Sequence, residues 1–218
     1  MFVLAGSGGL VQPRTADARV NRAHHYRMSM QRLISTGAML LVTCAPARAD
    51  RVGYQGVVDL HAESELLTVT HHHDWSPATH DARWKMIATT QDPFSAENDY
   101  AWLAVRERAS GAELFRRPVP PLNYLWISPD SNYVVGLSEV KSWNPVQVVV
   151  FRRDGQRLFE ASLANQGVPG ASESISTWIH WYHLPQPTLA IQEMGNRATL
   201  SVQGRTDIPI RFTFDLPP

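Results

Sequence analysis

The sequence predicts an all-β protein built from repeated antiparallel hairpins. Three observations carry that expectation. Apolar and polar residues alternate with a period of two along much of the chain, while helical spacings are scarce. Turn-forming pairs such as Ser110-Gly111, Pro129-Asp130 and Asp154-Gly155 separate the alternating runs. The run-and-turn pattern also occurs twice in succession, which marks an internal repeat.

The N-terminal part does not belong to that pattern. Residues 30–49 read "MQRLISTGAMLLVTCAPARA". Arg32 supplies a short positive region, Leu33 to Val42 an apolar stretch, and Ala47-Arg48-Ala49 a small-x-small cleavage site. This is the layout of a secretory signal peptide, and it is too short for a stable spanning helix. The start then falls at Met28 or Met30. Residues 28–49 are expected to be the signal peptide, and residues 1–27 a mis-started or disordered segment. Residues 50–218 form the single all-β domain that remains. A competing reading takes "LLVTC" as a lipoprotein signal, with Cys44 lipidated and the protein anchored to a membrane.

Export changes the charge. The whole chain has 20 basic and 20 acidic residues, but residues 1–49 hold six arginines and one acid, Asp17. The mature chain keeps 14 basic against 19 acidic residues, a net of −5. That balance argues against nucleic acid, which needs a basic face, and no polybasic run addresses anionic lipid. The only cysteine, Cys44, leaves with the signal, so a disulfide or thiol nucleophile is not expected.

Along the mature chain the strand-like runs are 100–108, 132–138, 146–153, 176–183, 188–193, 198–204 and 209–216. "VVVF" and "LFEA" flank "RRDGQR", the strongest hairpin, because Asp-Gly tolerates the positive φ of a tight turn. The two copies align Ser76 with Ser128, Gly111 with Gly155, Leu114 with Leu158 and Phe115 with Phe159. A third, blurred copy follows from "TWIHWYH" to "RFTFDL".

"ISPDSNYVVGLS" followed by "VVVFRRDGQRLFEA" resembles one blade of a TolB-type or WD-repeat β-propeller. The resemblance implies four-stranded antiparallel units, with a Ser-Pro-Asp turn between the first two strands and an Asp-Gly hairpin between the last two. A closed propeller needs about four or more blades. Two clear copies therefore imply a partial propeller-like or sandwich architecture, unless "GYQGVVDLHAESELLTVTH" is a further cryptic unit.

Two clusters carry candidate chemistry. If "LLTVTHHH" is a strand, His71 and His73 share one face, with His72 and Asp74 on the other. His71, His73, His80 and Asp81 then form a candidate site for Zn²⁺ or Cu²⁺, although no HExxH or CxxC motif accompanies them. In "WIHWYH", Trp178, His180 and Tyr182 fall on one face of a strand. With Trp84 and Trp143 in loops, they are candidates for gripping a partner, because aromatic residues offer area with a polar tip. The chain shows no phosphate loop, dinucleotide motif or nucleophile elbow. The expectation is an exported, non-catalytic binding or scaffolding domain of the bacterial envelope, periplasmic or secreted, with another envelope protein or a glycan as partner. The rival is a metal-binding protein or metalloenzyme built on the His71–Asp74 cluster with His80.

Overall fold

Alternating side chains put apolar residues on one face of a strand, and antiparallel hairpins stack such faces into layers. The computed structural model describes residues 56–76, 79, 92–141, 144–174 and 178–218. Thirteen strands occur among them, with essentially no helix. The first sheet contains β1 (Val57–Glu63), β2 (Leu67–Asp74), β3 (Ala101–Glu107) and β4 (Glu113–Pro118), hydrogen-bonded in chain order. The second repeats that plan with β5 (Tyr124–Ile127), β6 (Tyr133–Leu137), β7 (Val148–Arg152) and β8 (Arg157–Ala161). Next come a short pair, β9 (Ser172–Glu173) and β10 (Ile179–His180), and a three-stranded sheet of β11 (Leu189–Met194), β12 (Arg197–Gln203) and β13 (Pro209–Asp215). Every named pairing is antiparallel, and the sheets are open.

Two apolar layers lie on either side of the second sheet. Val134, Val149 and Phe151 meet Leu67, Val69, Leu103 and Val105 of the first sheet. Val135, Val148 and Val150 join the cluster that contains Leu189, Leu200 and Phe212 of the third. β6 is therefore buried throughout and β7 nearly so, which explains their unbroken apolar runs. β2 is buried at alternate residues only, because one of its faces has no such layer. Each fully buried Val or Leu stabilises the fold by about 1.5–3 kcal/mol through removal from water. Tyr133 adds a polar tie, its hydroxyl donating to Glu193 Oε1 on β11 at 2.5 Å.

The duplication is real, but its first landmark moves. Ser76 follows β2, the second strand of its sheet, whereas Ser128 lies between the first and second strands of its own. The counterpart of Ser128 is Ser64. Ser128 N–H donates to Tyr133 O at 3.0 Å, and its Oγ accepts from Tyr133 N–H at 2.9 Å. Ser64 N–H donates to Leu67 O at 2.9 Å, and its Oγ accepts from Leu67 N–H at 3.0 Å. The segment "GYQGVVDLHAESELLTVTH" is thus no separate unit; its described part supplies the first two strands of the first sheet.

The closing hairpins do match. Each carries a register shift, at Val105/Arg106 and at Val150/Phe151, and a glycine of positive φ, Gly111 at 73° and Gly155 at 88°. Phe115 pairs with Val105 as Phe159 pairs with Val150. Within the expected strand at 176–183, the described residues form a strand only at Ile179–His180, flanked by isolated bridges Val140↔Trp178 and Tyr182↔Gly204. The segment changes partner there, from the β6–β7 loop to the end of β12, so no single ladder runs through it. The expectations for residues 1–27 and 28–49, and for Cys44, lie outside the described residues.

Candidate functional site

The histidines of β2 divide as the strand period requires. His71 and His73 point inward and are 1% and 0% exposed, while His72 and Asp74 are half-buried on the other face. Leu122 N–H donates to His71 Nε2 at 3.0 Å, so that nitrogen carries a lone pair. His73 Nδ1 lies 3.1 Å from the same atom and acts as donor to it. Leu122 belongs to the connection between β4 and β5, so His71 fastens that connection to β2. Burial, reinforced by the neighbouring His73, holds the His71 imidazole well below the ordinary histidine range, against a weaker opposing pull from the Trp102 backbone. A metal ion on His71 Nε2 would have to displace two hydrogen bonds. The other two residues of the metal candidate, His80 and Asp81, lie outside the described residues, as do Trp84 and Trp143.

The second cluster assembles where the β6–β7 loop meets β10. Ile179 N–H donates to Glu139 O at 2.8 Å, and Val140 bridges Trp178. These backbone contacts bring together two side chains that are 41 positions apart. His180 Nδ1–H donates to Glu139 Oε1 at 2.6 Å. The Glu139 side chain is 8% exposed and that of His180 27%. A carboxylate on Nδ1 fixes the proton there in the neutral ring and leaves Nε2 as the other functional nitrogen. Trp178 stacks on the imidazole with ring centroids 4.1 Å apart, and it also packs against Trp75 and Val140.

A cavity of about 310 Å³ opens beside this pair, lined by His180, Tyr182, His183, Leu184 and Arg205. Its two walls are tied together through the backbone. His183 N–H donates to Gln203 O at 3.0 Å and Arg205 N–H to Trp181 O at 3.1 Å. The Arg205 loop is tight: a Cβ on Gly204 would lie 2.4 Å from Ile208 O. His183 of the lining is held from the Arg205 loop: its Nδ1 approaches Asp207 Oδ1 at 3.4 Å, and Gln203 Nε2 donates to the same oxygen at 2.7 Å.

Of the aromatic candidates, Trp178 and His180 do share a half-buried face. Tyr182 is placed differently: it is 1% exposed, packed in the second apolar layer and edge-on to Trp181 at 5.1 Å. It walls the pocket as core, because the chain turns to meet Gly204 at that residue. Sequence reasoning missed Glu139 and Arg205. Neither sits in a motif, and only the crossing of two distant segments gives them a role.

Comparison of the chain with known protein families, with curated proteins and with solved structures finds no match in any of the three.

Proposed function

We propose that this chain is an exported, non-catalytic binding domain of the bacterial envelope, with an envelope protein or a glycan as its partner. In this reading the pocket beside His180 is the recognition site. The observation that carries it is a recessed cavity lined by polar groups, His180 oriented by the buried Glu139 and Arg205 carried on a tight loop, beside an exposed Leu184. A mostly preformed pocket with a few placed polar groups is the usual form of a ligand site. The blade-like resemblance fits the same reading, since repeated antiparallel units serve widely as scaffolds for recognition loops. The signal-like segment at 28–49 supports export.

The test is a ligand screen by NMR on the full chain, reading the side-chain resonances of His180 and Arg205. Peptides, acidic and neutral sugars and small organic acids are added in turn. At least one class is expected to shift these resonances saturably, and the shifts should vanish in a His180→Gln/Arg205→Gln variant that keeps its melting temperature. Absence of any saturable shift across all classes would overturn the reading.

A further inference from the structure

The charges around the pocket can be assigned one by one. Two carboxylates stand near it, and both are engaged: Glu139 with His180 at 2.6 Å, and Asp207 with His183 and Gln203. Arg205 lines the same cavity, is exposed, and makes no ion pair among the described residues. Arg205 thus brings to the pocket a guanidinium that has no ion-pair partner among the described residues, and the hydrogen bond to Glu139 fixes the His180 ring in the same lining. Its apolar side is Leu184, which is 50% exposed although it is a large aliphatic residue.

The loop that carries Arg205 is held from two directions. Gly204 abuts Ile208 O, as described above, and a Cβ on Gly170 would lie 2.6 Å from the Thr206 side chain. A guanidinium held on a rigid loop loses less freedom on binding than one on a mobile loop, and its planar fork matches a carboxylate.

We infer that the pocket captures the C-terminal carboxylate of a peptide whose last residue is apolar, with Arg205 on the carboxylate, His180 beside it and Leu184 under the side chain. This inference rests on the binding-domain reading and names its ligand. A ligand carboxylate gives Arg205 the ion-pair partner that it lacks among the described residues, and an apolar neighbour gives Leu184 a partner. The shared ligand chemistry is a carboxylate next to an aliphatic group, which a free small acid also has.

Calorimetric titration of the full chain separates the possibilities. The probes are acetyl-Ala-Ala-Leu as the free acid, the same peptide as its C-terminal amide, 4-methylpentanoate and glucuronate. The free-acid peptide is expected to bind at least about tenfold more tightly than the amide, with 4-methylpentanoate weaker than the peptide and glucuronate weaker still. Arg205→Gln should reduce acid binding by about tenfold or more while leaving the melting temperature unchanged. Equal binding of acid and amide would overturn the carboxylate assignment but leave a binding pocket. Preference for 4-methylpentanoate over the peptide, or for glucuronate, would replace the peptide by a free acid or an acidic sugar. Failure of all four probes, with none shifting the His180 resonances, would overturn the assignment; success of some other class in the NMR screen would then still preserve the binding-domain reading.

Discussion

Ser64 Oγ and Ser131 Oγ lie 2.8 Å apart, so the first turn of the first sheet is hydrogen-bonded to the first turn of the second. The two sheets therefore meet at equivalent places. Ser131 itself adopts a φ of 59°, which brings its hydroxyl to a turn 67 residues away.

Equivalent glycines in the two closing hairpins should respond unequally. Gly111 and Gly155 both have positive φ, but a Cβ on Gly111 would meet nothing within 4 Å. One on Gly155 would lie 2.8 Å from the Phe115 ring, which is itself packed between sheets. Gly111→Ala is expected to cost about 1 kcal/mol, from backbone conformation alone. Gly155→Ala should cost about 2–4 kcal/mol, because overpacking adds to that strain. Urea denaturation of both variants checks the difference.

Acid should weaken the fold near neutrality through His71. Its folded-state pKa is depressed, so the unfolded chain binds a proton that the native chain refuses. Stability is full above the unfolded value of about 6.5 and falls as pH drops below it, by up to about 1.4 kcal/mol per unit, until the folded pKa is reached. His71→Gln keeps an acceptor for Leu122 N–H and removes the titration. Unfolding free energies measured at pH 7.5, 6.5 and 5.5 should show a shallower slope in the variant. An identical slope in both proteins would place the acid sensitivity elsewhere.

Gln147 is fully buried and holds three backbone groups, two in the β6–β7 connection and one after β8. Its Nε2 donates to Val140 O at 3.0 Å and Asn144 O at 2.9 Å, while its Oε1 accepts from Leu163 N–H at 2.7 Å. Gln147→Leu preserves bulk but orphans these groups. The expected loss is about 2–4 kcal/mol, since each unsatisfied buried partner costs about 1–3 kcal/mol. Because Val140 also bridges Trp178, the His180 resonances should shift in this variant.

Export is checked by sequencing the mature N-terminus after expression in a Gram-negative host. Asp50 is the expected first residue. Cys44→Ser should leave processing and location unchanged; loss of membrane association in that variant would instead establish the lipid anchor.

Most strands were legible because their apolar periods reflect their surroundings. "VVVF" lacks alternation because β7 has a sheet on each side, and "LTVTHHHD" alternates because β2 does not. The repeat was legible at its Gly hairpins, where positive φ restricts the residue choice. It was misread at Ser76, because a Ser-Pro pair has the same local chemistry after a second strand as after a first. Ser64, which has no proline beside it, makes the hydrogen bonds that define the turn. The His71/His73 face followed from strand period. The Glu139–His180 pair did not, since its partners belong to segments that only tertiary packing brings together.

The second sheet has interior on both faces, and this sets how the protein can be divided. Deleting the third sheet would bare Val135, Val148 and Val150 to water; deleting the first would bare Val134, Val149 and Phe151. The similar units are therefore not interchangeable modules, and no unit can be dropped to give a shorter working version. Amide hydrogens of β6 and β7 should exchange only through opening of the whole structure, which makes them reporters of its global stability.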